Sequence, residues 1–528
     1  TCGYISDSKL KRRAKMPDLT DIRNNWQQYD IRLIAVGVSL LISVIFLLVS
    51  LWNPGLHNND SYTYIRTAEI FRDEGIAAAY QHYSWASYSV LIALLSKLGI
   101  SLFTSALLIN SGFYALLVYS FLSIVKEIDD SKLLLLLAAI SILVYPQLNE
   151  YRSYIIRDVG FWALTVFSLS QLLRYSNEQS LVRAIAFCAA LLAASLFRAE
   201  AIIYLAVVPF ALLLDTRYEK ALCQKSFLRL YGIIAALAVG ALLLVTVAGF
   251  NVLALFTNFV SVYQPIISAT FSPPPEQAAE ISALLFSEHA AFFSQEYLSI
   301  FVAAGLIAIL IANMFNGIGG PFLIVLLIGL FRKGVSLETE RHVSMPLLAY
   351  LIVNFFVLLA FLFLTRYMTS RYTMIFSILL ALYVPLIAYR LLNSASLRKK
   401  QLSIFMAAFF AYCGIDAYVS FGDSKDYLPE SIDWITDNTN QGDRLHTNNN
   451  AIAYSSGLIE NYDVLMRHFN LSQIESAAEG DLFAVEFDNA MEQLFTDETV
   501  APYLELRQSF LSESDLKIGI YQRTAFLP

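Results

Sequence analysis

Charged residues are scarce in this sequence. Asp, Glu, Lys and Arg make up 15% of its 528 residues, whereas apolar residues make up 57%. Soluble domains contain about 25% charged residues, so this composition excludes an ordinary soluble domain and predicts a polytopic α-helical membrane protein. The net charge of -7 gives no sign of a nucleic-acid partner, and none is expected.

Cysteine is also rare, with only four residues, at positions 2, 188, 223 and 413. Two lie in apolar segments and two in stretches predicted to be cytosolic, so they indicate neither a disulfide framework nor a zinc site. A glycine-rich phosphate loop is absent as well. No cleavable signal peptide is expected, because the basic cluster Lys9–Lys15 is followed by a polar stretch.

Basic residues gather in short loops between the apolar runs. Such loops remain in the cytosol, which places the amino terminus inside and the carboxyl terminus outside. Leu298–Asn313 is predicted to be an outer, partly inserted helix, because a full crossing would carry Arg332 and Lys333 outside. About eleven spans are predicted elsewhere. They are Ile31–Trp52, Phe103–Val125, Leu133–Leu148, Gly160–Leu173, Ala184–Leu196, Ala201–Leu214, Tyr231–Phe256, Phe322–Phe331, Pro346–Leu364, Met374–Tyr389 and Ser403–Val419.

Three regions follow from this topology. Residues 1–30 form a cytoplasmic segment, residues 31–420 the transmembrane domain and residues 421–528 a small outer α/β domain. The first outer loop, residues 53–89, contains an interfacial amphipathic helix over Tyr62–Ala79. The outer domain is predicted to contain a helix near Pro429–Asn438, and strand-like runs follow it. These runs are Arg444–Thr447, Leu482–Phe487 and Lys517–Tyr521.

Charged side chains concentrate at the outer ends of the predicted spans. Carboxylates and guanidiniums at membrane depth are costly and are usually retained for binding or catalysis. An arginine beside an aromatic ring suits the phosphate of a lipid, and a carboxylate opposite it suits a general base. The candidate carboxylates are Asp60 and Glu69. The candidate phosphate ligands are Arg152, Arg157 and Arg371 with Tyr64 and Tyr372, and the secondary candidates are Asp158, Arg198 and Glu200.

Each of these groups also has a purely structural interpretation. Asp60 could cap the helix that begins near Ser61, and the arginines could anchor the protein at lipid headgroups. Arg198 and Glu200 could form an ion pair between spans. Histidines 57, 82 and 289 are solitary and are read as interfacial residues rather than metal ligands. No cofactor is required by these patterns, although Asp60, Glu69 and Asp73 have a spacing that could bind a divalent ion.

Several short motifs together resemble the GT-C glycosyltransferases. They are Asp60 just after the first span, Trp85 before Ser87-Tyr-Ser-Val-Leu-Ile-Ala-Leu-Leu-Ser-Lys-Leu-Gly99, the charged loop around Arg152, Phe197-Arg-Ala-Glu-Ala201 and Ser370-Arg-Tyr372. The closer likeness is to bacterial enzymes similar to protein mannosyltransferases and aminoarabinose transferases. The terminal stretch from Asp433 to Gly457 also looks like the periplasmic domain that such enzymes often carry.

The resemblance implies an inverting glycosyltransferase of the bacterial inner membrane. Its donor would be a sugar linked to polyprenyl phosphate, and its acceptor would be a periplasmic lipid, glycan or protein. Asp60 would be the catalytic base, and Arg152, Arg157 or Arg371 would contact the lipid phosphate. Many relatives have Glu after this Asp, where this sequence has Ser61, so either Glu69 supplies a second carboxylate or one carboxylate suffices.

Two other kinds of protein share parts of this pattern. An O-antigen polymerase or ligase also uses lipid-linked substrates, although it usually has large outer loops in mid-chain. A transporter or flippase for lipid-linked substrates would be expected to have inverted repeats and polar residues at mid-membrane depth.

Overall fold

The computed structural model describes residues 29–52, 57–247, 275–286, 297–332, 339–394, 399–419, 426–512 and 515–524, together with residues 257 and 264. The basic cluster Lys9–Lys15, Cys2 and His289 lie outside the described residues. Most of the described chain is helical, and its main hydrophobic core lies among the apolar helices before residue 420.

The helices of this apolar region are numbered in chain order. The first nine are α1 Ile31–Trp52, α2 Asn59–Glu74, α3 Ile76–His82, α4 Ser87–Ser96, α5 Leu102–Ile128, α6 Lys132–Leu143, α7 Pro146–Glu150, α8 Asp158–Glu178 and α9 Leu181–Ser195. The next nine are α10 Ala201–Val207, α11 Lys220–Val247, α12 Pro275–Phe286, α13 Leu298–Ile318, α14 Gly320–Phe331, α15 Arg341–Thr365, α16 Met374–Ala381, α17 Tyr383–Ser394 and α18 Lys399–Tyr418. Short 3-10 segments occupy Tyr151–Ser153, Val208–Leu214 and Ser370–Thr373.

Within the described residues, seven helical segments are long and apolar enough to cross a membrane, or eight if the bent pair α6 and Pro146–Ser153 forms one span. The seven are Ile31–Trp52, Leu102–Ile128, Lys220–Leu243, Ile300–Ile318, Arg341–Thr365, Ser370–Ser394 and Lys399–Tyr418. The prediction of about eleven spans is therefore not confirmed. A span needs about 20 residues, whereas several of the predicted spans coincide with apolar helices of 10–17 residues, such as Leu181–Ser195 and Ala201–Leu214.

The segment around Gly319 also differs from the prediction. α13 is a continuous helix of 21 residues, long enough to cross rather than dip into the membrane. α14 has 12 residues, which reach only about 18 Å at 1.5 Å per residue and so cannot span alone. Gly319 joins the two helices with a φ of +78°, where a Cβ atom would lie 1.9 Å from Oε1 of Gln147. Only glycine fits this bend.

The predicted interfacial helix of the first outer loop is divided into two. α2 ends where Gly75 adopts a φ of +93°, and α3 begins directly after it. Ile65 and Ala68 on α2 are fully buried, and α2 packs mainly against α4 and α3. Burial of a side chain such as Ile65 contributes about 1.5–3 kcal/mol, so the loop is fixed on the helical bundle.

The carboxyl-terminal region forms a four-stranded sheet with flanking helices. Its elements are α19 Tyr427–Asn438, β1 Leu445–Thr447, α20 Asn450–Ser456, α21 Leu471–Ser476, β2 Leu482–Glu486, α22 Asn489–Thr496, β3 Leu504–Ser512 and β4 Asp515–Arg523. The strand order is β1-β2-β4-β3, with β1 parallel to β2 and the other pairs antiparallel. The helix and the three predicted strands are present, whereas β3 was not predicted.

This sheet region is docked on the first loop. Tyr62 of α2 shares a buried cluster with Leu428 and Ile435 of α19. The hydroxyl of Tyr462 donates to Oε2 of Glu69 at 2.7 Å. The Asp60 end of the bundle and the sheet region therefore face one another.

Candidate active site

Asp60 lies in the first turn of α2, and the loop before it is tied to the loop before α8. The side-chain amide of Asn58 accepts from the backbone N–H of Ile155 at 2.8 Å and donates to the Ile155 carbonyl at 3.1 Å. Asn58 occupies the N-cap position of α2, and no side chain caps that end. Asp60 points instead to Arg371, so the capping interpretation is wrong.

Arg371 lies in the 3-10 turn between α15 and α16 and reaches two carboxylates. Its Nη1 donates to Oδ2 of Asp60 at 2.6 Å, and its Nε lies 3.5 Å from Oδ2 of Asp158. This contact joins residues 311 positions apart in the chain. The two parts of the sequence that carry the Asp60 and Ser-Arg-Tyr motifs therefore meet at one point.

Asp158 begins α8 and is held by a second arginine. Nη1 of Arg198 donates to Oδ1 of Asp158 at 2.7 Å, and Nη2 of Arg198 donates to Glu200 at 2.9 Å. The Asp158 side chain is 3% exposed, whereas that of Asp60 is 44% exposed. We call the five residues Asp60, Asp158, Arg198, Glu200 and Arg371 the ion network.

The arginines of the ion network determine the charge of Asp158 and Glu200. Burial alone would raise the pKa of Asp158, but the charges of Arg198 and Arg371 outweigh it and hold that pKa below its ordinary value. The pKa of Glu200 is lowered in the same way, because Arg198 outweighs the effect of burial. Both carboxylates are therefore ionised at neutral pH, and the expected ion pair between Arg198 and Glu200 is present.

Arg157 lies among aromatic rings. In the described part of the chain, no carboxylate oxygen lies within 4 Å of its guanidinium. Its guanidinium lies 4.7 Å from the ring centroid of Trp85 and 5.8 Å from that of Tyr83. Its Nη1 is buried and has no hydrogen-bond partner among the described residues. A buried N–H without a partner is costly, and Arg157 lines the Asp60 cavity.

The Asp60 cavity has a volume of about 240 Å³. Its wall consists of Asp60, Thr63, Tyr64, Tyr83, Arg157, Asp158, Arg371 and Tyr372. Two carboxylates and two guanidiniums thus border one small space beside three tyrosines. Such a space can hold an anionic group against the arginines while a carboxylate remains within reach.

Arg152 does not reach this cavity, contrary to the expectation from sequence. Its guanidinium is buried and donates to Asn149 Oδ1 at 2.8 and 3.1 Å and to Ser43 Oγ at 2.8 Å. It also lies 4.2 Å from the ring centroid of Tyr114. The side chain therefore joins α1, α5 and α7, and its guanidinium donates its hydrogen bonds to groups within the protein.

Glu69 is likewise separate from Asp60. Besides the Tyr462 hydroxyl, its Oε2 faces Nη1 of Arg66 at 3.5 Å. It therefore belongs to the docking contact with the sheet region rather than to the Asp60 cavity. Within the described residues no group of three or more His, Cys, Asp or Glu side chains could hold a metal ion. The divalent-ion site suggested by the spacing of Asp60, Glu69 and Asp73 is therefore not formed.

The sequence analysis gave one site residue too little weight and did not identify two others. Asp158 was only a secondary candidate, yet it is the second carboxylate at Asp60. Tyr83 and Trp85 were not among the candidate site residues, although their rings lie against Arg157. The pair of adjacent opposite charges at 157 and 158, directly before an apolar helix, was the available signal.

The chain was compared with known proteins. No protein-family model matches it, and no curated protein matches it. It is similar to a crystal structure of the Archaeoglobus fulgidus oligosaccharyltransferase complex with Zn and sulfate, with 14% identity, a TM-score of 0.45 and coverage of 77% of this chain and 55% of that chain. The apo form gives 13% identity, a TM-score of 0.43 and coverage of 86% and 62%.

That oligosaccharyltransferase is of the GT-C class that the sequence resembles. This chain spans 55% to 62% of the length of the two matched chains. Both TM-scores lie below 0.5, so the function is argued from the residues of the site.

Proposed function

We propose that this protein is a membrane glycosyltransferase that moves a sugar from a polyprenyl-phosphate carrier to an acceptor hydroxyl. The observation that supports this most directly is Arg157, which lines the same cavity as Asp60 and has a guanidinium nitrogen without a hydrogen-bond partner among the described residues. Phosphate oxygens accept forked hydrogen bonds from arginine. A carboxylate on the opposite wall is the group that a hydroxyl acceptor requires as a base.

The reaction follows from this arrangement. The acceptor oxygen attacks the anomeric carbon of the sugar and forms the new glycosidic bond. The bond from that carbon to the phosphate oxygen breaks, and polyprenyl phosphate leaves with the electron pair. Asp60 takes the acceptor proton. Because the acceptor and the phosphate lie on opposite sides of the carbon, the configuration there is inverted.

Arg371 has two tasks in this scheme. Its Nη1 donates to Asp60 and so occupies the carboxylate. An incoming phosphate competes for the same guanidinium and releases Asp60 when the donor is in place. Asp158 holds Arg371 and Arg198 and is a positioning residue rather than the base.

The cavity is assigned to the periplasmic side of a bacterial inner membrane. This assignment rests on the basic loops, which the positive-inside rule keeps in the cytosol at the other end of the helices. The acceptor would then approach from the side of the sheet region, and the polyprenyl chain from the membrane.

The test of the donor is mass spectrometry of lipid that co-purifies with the protein, followed by titration with undecaprenyl phosphate. We expect a polyprenyl-phosphate sugar in the purified material. Arg157→Ala should weaken binding of undecaprenyl phosphate by about 10-fold to 100-fold, because a hydrogen bond to a charged group contributes about 1.5–3 kcal/mol. Native mass spectrometry of the titration measures the change.

Arg72→Ala is the matched control for Arg157→Ala. Arg72 is exposed on α2, and its nearest carboxylate, Asp73, lies 3.9 Å away, so binding should be unchanged. Equal affinity of the Arg157→Ala variant and the wild type would contradict the phosphate assignment. Bound polyprenyl phosphate without turnover of any acceptor would instead favour a transporter.

Glu69→Gln tests whether Glu69 is a second catalytic carboxylate. The amide oxygen of Gln can still accept from Tyr462, so the docking contact is kept. A substitution of this kind changes free energies by about 0.5 kcal/mol or less, and turnover should stay within about threefold of the wild type. Initial rates of sugar transfer measure this. If Glu69→Gln lowered the rate of sugar transfer as much as an Asp60 substitution does, Glu69 would be a catalytic carboxylate.

A further inference from the structure

A second polar space lies between α2 and the sheet region. Two adjoining cavities of about 520 and 380 Å³ both include Asn59 and Glu486 in their walls. We call this space the inter-domain groove. Asn59 precedes Asp60 in the first turn of α2, so the groove reaches the residue next to the carboxylate residue of the proposed reaction.

The groove lies at the carboxyl ends of two parallel strands. β1 leads into Asn448–Asn450, and β2 ends at Glu486 and leads into Phe487. In open α/β sheets, ligands bind in the crevice outside the carboxyl ends of parallel strands. The two loops are fixed to each other, because Asn448 accepts from the Glu486 N–H at 2.7 Å and donates to the Glu486 carbonyl at 2.9 Å.

Several polar groups on the groove wall remain available. The side chains of Asn59 and Asn450 make no hydrogen bond within the described part of the chain. Oε2 of Glu486 accepts from Asn449 at 2.8 Å, which orients the carboxylate and leaves lone pairs for a ligand. Arg467 is 86% exposed. Amide and carboxylate groups of this kind can both donate to and accept from the hydroxyls of a sugar.

Aromatic rings complete the wall. Phe487 lines the larger cavity, and Tyr154 and Tyr427 line the smaller one. A sugar ring offers an apolar face to an aromatic ring and hydroxyls at its edge. An extended peptide would instead add to a strand edge, but of the two edge strands the one that leads into the groove, β1, has only three residues.

We propose that the inter-domain groove binds a glycan acceptor and directs one of its hydroxyls to Asp60. This inference rests on the proposed function, and it narrows the acceptor to a carbohydrate. Asn59, Asn450 and Glu486 would bind the hydroxyls of the sugar residues that surround the reacting one.

The test is saturation-transfer NMR on the full chain in lipid nanodiscs. The probes are maltotetraose, cellotetraose and chitotetraose, with a Ser/Thr-rich hexapeptide as the competing class. We expect saturation of the ring protons of at least one oligosaccharide. Asn450→Ala and Glu486→Gln should each reduce that signal at least twofold. Glu479→Gln, at an exposed position of the same region, should leave it unchanged.

The outcomes separate this inference from the proposed function. Asp60→Asn should keep the oligosaccharide signal, because Asp60 acts in the reaction rather than in holding the glycan. If no sugar transfer is found but the oligosaccharide signal responds to the groove variants, only the transferase proposal fails. Saturation of the peptide alone, of no probe, or of oligosaccharide equally in all variants would overturn the groove assignment.

Discussion

Asp60→Asn is expected to lower sugar transfer by about 100-fold to 10,000-fold, the usual contribution of a positioned general base. Asparagine has the shape of aspartate but cannot take the acceptor proton. The variant should still insert and purify normally, because Asp60 is 44% exposed and is only one of two carboxylates that face Arg371. Initial rates with saturating donor and acceptor measure the effect.

Asp73→Asn on the same helix is the matched control. Its side chain is 68% exposed, and its ion-pair partner among the described residues is Arg72, at 3.9 Å, so transfer should remain at the wild-type rate. Retained transfer in the Asp60→Asn variant would remove Asp60 from the catalytic role. Binding of undecaprenyl phosphate should be equal to that of the wild type or tighter, since Arg371 is then free of its anionic partner.

Asp158→Asn is expected to have the largest effect on stability. The substitution removes the charge that Arg198 and Arg371 share, and leaves both guanidiniums with less compensation in a buried place. Breaking a buried ion pair in this way costs about 3–5 kcal/mol. Thermal unfolding in detergent, followed by near-ultraviolet circular dichroism, should show a clear fall in the midpoint temperature.

Asp130→Asn offers the corresponding control, because Asp130 is exposed in the turn between α5 and α6. Its midpoint should equal that of the wild type. If Asp158→Asn unfolds at the wild-type temperature but loses activity, Asp158 acts on the substrate rather than through the arginines. That result would revise its role from positioning residue to catalytic residue.

The sequence predicted the convergence of Asp60, Arg157 and Arg371, and the structure brings all three to one cavity. The physical basis was simple: costly charges at the ends of apolar runs need a shared polar space. The same reasoning placed Arg152 there and was wrong. Arg152 and Arg157 are separated by a turn and an extended stretch. The local sequence pattern does not predict which of the two side chains faces the Asp60 cavity.

The position of Glu69 illustrates a second limit. Glu69 is about two and a half helical turns beyond Asp60, and its orientation depends on a hydroxyl nearly 400 residues later, that of Tyr462. Sequence spacing within α2 contains no information about that partner. Asp158 was underrated for the same reason, because its neighbours Arg198 and Arg371 come from distant turns.

At the level of the fold, the sequence shows where the apolar runs lie, but the length of a run does not decide whether it crosses the membrane. An apolar helix of 10–17 residues is too short to be identified as a span from the sequence. Its position in the bundle follows only from how it packs against its neighbours. β3 escaped prediction because register shifts between Leu506 and Gln508 and between Phe510 and Leu511 interrupt its alternation. Most of its side chains are also exposed.

The charges around the Asp60 cavity have a consequence for the reaction cycle. Three cations balance three anions there, namely Arg157, Arg198 and Arg371 against Asp60, Asp158 and Glu200. In the proposed transfer, Asp60 becomes neutral as it takes the proton, while the departing phosphate gains one negative charge. The total is the same before and after, so no counterion has to enter from solution. In a site of low dielectric constant, where a change in net charge is expensive, the chemistry only moves one negative charge from one side of the cavity to the other.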